Sequence, residues 1–345
     1  MKTTRAEGWR TAFAPATVAN FGSGFDAFAA AIAALESRGG SRRGGLFAGR
    51  LGDTVSVRRT KRTGVRVLAI EGDGGRLPRG AARNCAAVAA AAVLRQERAP
   101  FGLDLVLRKG LPLSSGLGSS AASAAAGAFA SALAIGRAPG RPGRGARRAG
   151  STVALDKRRL LVPALLGEHV ADGSWHGDNV FASLMGGGLI VVATRSAEIV
   201  PLRSAPSLRL VIVHPHFELP TRRARAALPR RVAIADATAQ AGRFASLVEA
   251  WPRGERRAIG RGLDDRLAEP YRAPLVPGYA GAKRAALRAG AFGVTFSGAG
   301  PSVVAIAPEG GEARVARAIR GGFARAGLGT DVVVCRIDAR GAREA

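Results

Sequence analysis

The segment KGLPLSSGLGSSAAS, residues 109–123, is the most informative stretch of this chain. A turn dense in glycine and serine, residues 114–120, leads directly into an alanine-rich helix predicted to run from Ser120 to about Ile135. Glycines let a backbone fold closely around an anion, because no Cβ stands in the way. The free N–H groups and the positive dipole of the first helical turn then face that anion. The segment therefore predicts a phosphate-binding loop.

Two common nucleotide-binding patterns do not fit this loop. No Gly-Lys-Ser/Thr triplet follows it, as a P-loop would require, and no G-x-G-x-x-G dinucleotide pattern stands after the preceding strand. The hydroxyls of Ser119 and Ser120 add groups that can bind a phosphate oxygen or a Mg²⁺-bound water. Taken alone, the segment also fits an ordinary capped helix after a flexible turn.

The composition predicts a folded protein with a strongly basic surface. The 345 residues suit two domains or one large one, and we place a boundary near residue 200, which separates segments 1–200 and 201–345. The net charge is +27, and only five of the 52 basic residues are lysine. A basic surface attracts polyanions, but an aromatic content of 5% leaves few groups for base stacking. Because no nucleic-acid-binding motif is present either, we expect no specific nucleic-acid partner.

The sequence indicates a cytoplasmic protein without a membrane partner. No run of about 18 apolar residues is free of charge, and residues 1–10 contain no apolar core of a signal peptide. Cys85 and Cys335 lie far apart and fit no metal-binding spacing. We expect both thiols to be reduced, as in most cytosolic proteins.

Patterns of apolar residues predict alternating strands and helices along the chain. Asn84 is the predicted N-cap of an alanine-rich helix that ends at Gln96. Residues 14–26 are predicted to form a loop after a short strand, and the Arg/Gly-rich segments 38–45 and 136–150 are predicted to be solvated loops. The remaining strands are expected at 11–13, 53–59, 64–70, 101–108, 187–193, 208–214, 293–296, 303–306 and 331–336, and the remaining helices at 157–171, 236–250 and 312–326.

Two clusters of polar residues upstream of residue 200 suit ligand binding. Asn20 and Asp26 lie in a Gly-rich segment, where a carboxamide and a carboxylate can hold an ammonium and a hydroxyl; an Asx turn and a helix cap explain them equally well. Glu168 can hold Mg²⁺ opposite the loop serines. The sequence His-Gly-Asp-Asn at 176–179 follows it, and a structural role for His176 is the more common one.

Two further clusters lie downstream of residue 200. Arginines in segments 221–225 and 269–272 suit a carboxylate or a transferring phosphoryl group, although most arginines in so arginine-rich a chain lie on the surface. The turn Ser297–Ser302 lacks bulky side chains and suits close approach to a ligand or another loop. A plain hairpin turn is the alternative.

Three segments together resemble the GHMP small-molecule kinases: residues 14–26, 111–123 and 297–302. Within that family the resemblance is strongest to the homoserine kinases. The matching positions are Gly167-Glu168, His176-x-Asp178-Asn179, Thr221-x3-Arg225-x2-Leu228-Pro229 and the segment DRLAEPYRAPLVPG at 265–278. These segments occur in order from residue 12 to about residue 306, so the resemblance covers most of the chain.

The resemblance implies an α+β fold of two domains, a ribosomal-S5-like nucleotide-binding domain at 1–200 and a ferredoxin-like α/β domain at 201–345. It implies ATP and Mg²⁺ as cofactors and L-homoserine as the substrate. The implied reaction is phosphorylation of the L-homoserine hydroxyl to give O-phospho-L-homoserine and ADP, on the route to threonine. It also implies a homodimer.

The resemblance further implies roles for individual residues. Glu168 is the carboxylate on the Mg²⁺ side, and the hydroxyl of Ser119 or Ser120 faces it. Glu168, Ser120, Asp26 and Arg225 are the candidate catalytic residues, and no dedicated general base is expected because a loose phosphoryl-transfer transition state does not require one. The implied substrate contacts are Asn20, Asp26, Asn179, Thr221, Arg225 and Arg272, with the arginines favouring the carboxylate. The implied nucleotide contacts are Asn84, Pro112, Leu113, Ser114, Ser115, Gly116, Leu117, Gly118, Ser119, Ser120 and Ala121.

Three other functions stay open on the sequence. Another GHMP kinase, of the mevalonate or sugar type, would act on a substrate without an ammonium–carboxylate pair, which leaves Asp26, Arg225 and Arg272 unexplained together. A nucleic-acid-binding protein would use the Arg/Gly segments and show steep salt dependence. A non-catalytic ATP-binding relative would retain the loop without turnover. The chain also departs from the family pattern at the basic segment 136–150, at Trp175, and at Ser23, where proline is common.

Overall fold

The computed structural model describes residues 8–35, 50–136 and 156–345. The predicted loop 38–45 lies outside the described residues, and so does all of the loop 136–150 except Gly136. The strands are β1 (Trp9–Pro15), β2 (Thr17–Phe21), β3 (Gly24–Ala34), β4 (Gly52–Thr60), β5 (Val65–Glu71), β6 (Gly102–Arg108), β7 (Gly188–Ala193), β8 (Glu198–Leu202), β9 (Leu210–Pro215), β10 (Gly293–Phe296), β11 (Val303–Ile306), β12 (Thr330–Ile337) and β13 (Arg343–Glu344).

Ten α-helices accompany these strands in the described part of the chain. They are α1 (Cys85–Gln96), α2 (Ser119–Ile135), α3 (Leu161–Asp172), α4 (Asp178–Met185), α5 (Thr221–Ala226), α6 (Ile234–Ala250), α7 (Arg256–Gly262), α8 (Glu269–Arg272), α9 (Tyr279–Arg288) and α10 (Glu312–Ala324). Single 3₁₀ turns cover Ala81–Arg83, Lys157–Leu160 and Ala273–Leu275. Asn84 caps α1 as predicted, because its side-chain oxygen accepts a hydrogen bond from the Ala87 N–H at 3.2 Å.

The first sheet and the alanine-rich helices build one core. Its strand order is β13-β1-β4-β6-β5, and β5 and β6 are its parallel pair. Helices α1 and α2 pack against each other closely, since an added Cβ at Gly127 would lie 2.4 Å from the carbonyl oxygen of Ala86. Small side chains on both helices therefore bring α2, and the loop that precedes it, close to the segment around Asn84.

The second sheet joins residues from both ends of the chain. Its strand order is β10-β11-β9-β12-β3-β7-β8, with β2 attached to β3. Antiparallel pairing of Cys335 with Ala34 and of Ile337 with Ile32 ties β12 to β3. This pairing brings the turn between β2 and β3 into reach of the C-terminal half. The predicted boundary at residue 200 falls inside β8, which pairs with β7, and its position stays a prediction.

The predicted loop at 14–26 is wrong for most of its length. Residues 14–15 complete β1, residues 17–21 form β2, and β3 starts at Gly24. Proline and glycine favoured a loop, but the segment is buried, and its backbone bonds continue across it: the N–H groups of Ala16 and Thr17 donate to the carbonyls of Leu51 and Leu117. Tertiary pairing thus overrides the local preference.

No helix in the described ranges, 8–35, 50–136 and 156–345, combines the length and apolarity that crossing a bilayer requires.

Candidate active site

The predicted functional segments meet at one cleft. A cavity of about 560 Å³ opens between the loop before α2, the segment around Asn84, helix α3 and the residues that precede and begin α4. Side chains from the second half of the chain close its other side, among them Thr221, Arg225 and Arg272. The cavity is large enough for a small ligand beside a nucleotide.

The loop before α2 is shaped for close approach of its backbone to a ligand. Gly118 has φ 68° and stands at the N-cap of α2 without a side-chain cap. An added Cβ there would lie 2.1 Å from Oγ1 of Thr17, so only glycine fits. Because the first-turn N–H groups of α2 have no partner within the helix, they provide donors for an anion at the cavity.

The two loop serines differ in what their hydroxyls contact. Ser120 Oγ donates to Glu168 Oε1 at 2.8 Å, which connects the start of α2 to α3. Ser119 Oγ instead donates to the carbonyl of Leu111 at 3.4 Å and is 8% exposed. The hydroxyl that faces Glu168 is therefore that of Ser120.

The turn Ser297–Ser302 packs on the loop before α2. Ser297 Oγ donates to the Gly116 carbonyl at 2.8 Å, and the Ser302 N–H donates to the Ser115 carbonyl at 3.3 Å. An added Cβ at Gly116 would lie 2.3 Å from the Ser297 carbonyl oxygen. The small residues of this turn thus allow one loop to support another.

A buried ion pair lies beneath the same loop. Lys109 Nζ donates to Asp53 Oδ2, to the Ser119 carbonyl at 2.8 Å and to Ser123 Oγ at 2.9 Å. Asp53 Oδ1 also accepts the Gly110 N–H at 3.0 Å. The side chains of Lys109 and Asp53 are 2% and 0% exposed. The pair fixes both ends of the loop to β4.

Asp26 and Arg225 form an ion pair across the cleft. The two guanidinium nitrogens Nη1 and Nη2 donate to Oδ2 and Oδ1 of Asp26 at 3.1 and 2.6 Å, joining residues 199 positions apart. His176 Nδ1 lies 3.0 Å from Arg225 Nη2. Asn20 Oδ1 accepts the Asp26 N–H at 2.7 Å, and both Asn20 and Asp26 have positive φ values, 52° and 54°. This tight turn fixes the direction of the Asp26 carboxylate.

Two buried charged groups next to this pair keep polar atoms without a partner. Asp178 is 2% exposed, and Asn179 donates its backbone N–H to Oδ1 at 2.8 Å. Oδ2 accepts no hydrogen bond from residues 8–35, 50–136 or 156–345. Burial, reinforced by the charge of Asp26, raises the pKa of Asp178 to about 6. Arg272 is 2% exposed and donates Nη1 to the Gly298 carbonyl at 3.2 Å, while Nε and Nη2 have no hydrogen bond within the described part of the chain. Burial and the nearby Arg225 lower the pKa of Arg272 to about 10.

Family models match both halves of the chain. The model described as GHMP kinases N terminal domain matches residues 84–187, and the one described as GHMP kinases C terminal matches residues 247–325. A homoserine kinase of Chlorobium phaeobacteroides is 35% identical over 96% of this chain and 98% of its own length. The chain belongs to the homoserine kinases of the GHMP family. A second homoserine kinase, from Xanthomonas campestris, is 37% identical over 96% of this chain and 92% of its own length.

A solved structure supports the same assignment for this GHMP kinase. The crystal structure of homoserine kinase from Cytophaga hutchinsonii superimposes with a TM-score of 0.84 at 33% identity and covers 100% of both chains. The α+β fold of two domains that the sequence resemblance implied is confirmed.

The structure of this GHMP kinase brings most of the predicted site residues to the cavity. Asp26 is connected to it through Arg225, whereas Leu117 and Ala121 are fully buried in the core and are not among the residues that line the cavity. Pro112 is not among the lining residues. Those that line the cavity are Asn20, Asn84, Leu113, Ser114, Ser115, Gly116, Gly118, Ser119, Ser120, Glu168, Asn179, Thr221, Arg225 and Arg272.

Sequence reasoning assigned no site role to several residues at the cleft of this GHMP kinase. His176 and Asp178 belong to the motif His-x-Asp-Asn at 176–179. Its polar residues next to the start of a helix were the signal that could have identified them. No sequence signal pointed to Lys109, because its partner Asp53 lies 56 positions away. Arg76, Arg83, Gly298 and Ala299 also line the cavity.

Proposed function

We propose that this GHMP kinase transfers the γ-phosphoryl group of ATP to the side-chain hydroxyl of L-homoserine and releases ADP and O-phospho-L-homoserine. The relatives named above as homoserine kinases support this function. The observation that carries it is the cavity itself, in which the N-terminus of α2 and the Ser120–Glu168 contact face Arg225, Arg272 and Asp178. Asp26 is bound to Arg225 behind this surface. A zwitterionic amino acid beside a triphosphate matches this distribution of charge.

The phosphate groups of ATP would bind at the start of α2, with Asn84 and the residues around Arg83 along the nucleotide. The residues present suit Mg²⁺, since Glu168 and Ser120 offer two oxygens and this cation commonly takes one or two protein oxygens besides phosphate. No group of three or more His, Cys, Asp or Glu side chains forms a cation cage within residues 8–35, 50–136 and 156–345. Bound Mg²⁺ would supply charge neutralisation at the phosphates.

Carboxylates and guanidinium groups of the cleft suit the two charges of L-homoserine. The unpartnered Nε and Nη2 of Arg272 offer two donors to the substrate carboxylate, next to Arg225. The unpartnered Oδ2 of Asp178 and the carboxylate of Asp26 offer acceptors to the ammonium. Asn20, Asn179 and Thr221 add neutral contacts. Because a mevalonate or sugar has no ammonium, binding one would give Asp178 Oδ2 no charged donor from the substrate.

The reaction needs positioning more than acid–base chemistry. The hydroxyl oxygen attacks the γ-phosphorus, the bond from that phosphorus to the bridging oxygen of ADP breaks, and the hydroxyl proton is released. We propose in-line attack without a dedicated base. A homodimer and a cytoplasmic location stay predictions, as does the absence of a specific nucleic-acid partner.

A coupled ADP-release assay with Mg-ATP tests the proposed function. L-homoserine is compared with L-serine, L-threonine, mevalonate, shikimate and galactose. Turnover restricted to L-homoserine is the expected result. Activity on mevalonate or galactose without activity on L-homoserine would support a kinase but contradict the proposed substrate. ATP binding without turnover of any acceptor would favour a non-catalytic relative.

The raised pKa of Asp178 predicts a pH dependence of substrate binding. Below pH 6 the carboxyl is protonated and cannot hold an ammonium by charge, so KM for L-homoserine should rise about tenfold per pH unit there. The pKa of Asp178 is about 6 in the folded protein, against the usual 3.8 in the unfolded chain. The free energy of unfolding therefore falls as pH rises from about 4 to 6, because the unfolded chain ionises first. Asp178→Asn should therefore abolish the KM dependence and stabilise the protein at pH 8 but not at pH 4.

Initial rates at saturating ATP from pH 5 to 8, with KM for ATP measured in parallel, separate this effect from titration of the nucleotide. Chemical unfolding at pH 4 and 8 gives the stability. A collapse of kcat in Asp178→Asn at unchanged KM would instead make Asp178 the general base and contradict the proposed mechanism.

A further inference from the structure

Helix α8 carries Arg272 but has little stability of its own. It contains four residues, and its second residue is Pro270. One helical turn is not stable in isolation, because nucleation fixes several residues for few hydrogen bonds. Its N-cap residue, Ala268, has no side chain that can bond the free N–H groups. The position of Arg272 must therefore be fixed by residues outside the helix.

Asp265 supplies the missing cap from three residues upstream. Its Oδ1 accepts the N–H groups of Leu267 at 2.8 Å and Ala268 at 3.1 Å, and its Oδ2 accepts that of Glu269 at 2.9 Å. Pro270, which follows, has no N–H. The carboxylate thus bonds each backbone N–H from Leu267 to Glu269, and Asp265 is only 8% exposed.

Gln240 on α6 connects this cap to the opposite side of the cleft. Its Nε2 donates to Asp265 Oδ1 at 3.0 Å and to the carbonyl of Ser23 at 3.1 Å, and its Oε1 accepts the Arg266 N–H at 3.0 Å. Ser23 lies in the turn between Asn20 and Asp26 and is itself held by the Gly262 carbonyl at 2.7 Å. One buried amide therefore fixes the helix that carries Arg272 relative to the turn that carries Asp26.

We propose that Asp265, supported by Gln240, is a positioning residue for the amino-acid subsite and acts on substrate through Arg272. The proposal rests on the proposed function, because it assumes that Arg272 binds the substrate carboxylate. The Arg272 N–H donates to the Ala268 carbonyl at 3.1 Å, so a shift of residues 267–269 moves the guanidinium. Its stacking over the Phe25 ring, 4.9 Å from Cζ to the ring centroid, would be lost with it.

Asp265→Asn in the full chain tests the proposal. The asparagine amide has one oxygen for the three N–H groups that Asp265 accepts. Its NH₂ group would face one of these N–H groups, so two donors would meet without an acceptor. We expect KM for L-homoserine to rise about 10- to 100-fold, with KM for ATP and kcat within about twofold of the wild-type values. The matched control is Asp264→Asn, since Asp264 is the neighbouring carboxylate, is 53% exposed, and in the described chain pairs only with Arg243 and Arg266. It should change neither KM by more than about twofold.

A double-variant cycle separates positioning from general loss of structure. If Asp265 acts through Arg272, adding Asp265→Asn to Arg272→Met should change kcat/KM for L-homoserine less than about twofold. Additive effects, equal rises in both KM values, or no change in KM for L-homoserine would overturn the proposal. If Asp265→Asn does not fold, Gln240→Met tests the same proposal. We expect it to raise KM for L-homoserine about fivefold and to leave KM for ATP unchanged. A wild-type protein that does not phosphorylate L-homoserine would refute the proposed function instead.

Discussion

Arg272→Met is expected to lower kcat/KM for L-homoserine about 100- to 1000-fold while leaving KM for ATP nearly unchanged. The guanidinium is buried, and two of its donors have no hydrogen-bond partner among the described residues. A charge-assisted pair in such a site contributes about 3–4 kcal/mol to substrate binding. The aliphatic side chain of methionine fills a similar volume but offers no donor. Steady-state kinetics with each substrate varied in turn measures both constants.

The same variant should not lose stability, which distinguishes a binding residue from a structural one. Burial lowers the pKa of Arg272 to about 10, so the folded protein disfavours the charge at neutral pH and its removal relieves that cost. We expect the Tm to stay within about 2 °C of the wild-type value or to rise. Arg266→Met, which removes a side chain 50% exposed in the same segment, is the control and should leave kcat/KM within about twofold. A fall in Tm accompanied by equal losses for both substrates would argue against a role in binding.

Lys109→Met is expected to lower the free energy of unfolding by about 3–5 kcal/mol. The substitution leaves the Asp53 carboxylate at 0% exposure without its counter-charge. It also removes the donor to the Ser119 carbonyl and to Ser123 Oγ. Urea unfolding followed by circular dichroism measures the effect, provided that the transition is cooperative.

Arg108→Met is the matched control for this prediction. Arg108 is the preceding residue and pairs with Glu71, but both side chains are more than half exposed, so we expect a loss of at most about 1 kcal/mol. Adding Asp53→Asn to Lys109→Met should recover a large part of the stability, because a neutral amide can still accept the Gly110 N–H. Equal losses at Lys109 and Arg108 would show that burial does not govern the strength of the pair.

The local features of this protein could be predicted from its sequence. The loop before α2, the helix that follows it and the Asn84 cap depend on residues within a few positions of one another. Periodicity likewise predicted most strands. The segment 14–26 was one exception, because its glycines and proline suit a loop and only pairing with distant strands makes most of it extended. The short strands β8 and β13 were not predicted either. The resemblance of these local segments to those of the GHMP kinases then indicated a phosphoryl-transfer reaction.

The contacts between distant residues were decided by the tertiary structure alone. Pairing of β3 with β12 is part of the arrangement that places Asp26 against Arg225, 199 positions away. The same packing selects Ser120 over Ser119 as the partner of Glu168. The sequence determined which groups are available, since loops and helix starts follow from local backbone preferences. Only the fold determined which of these groups meet, because strand pairing and burial, not separation along the chain, set the distances between their atoms.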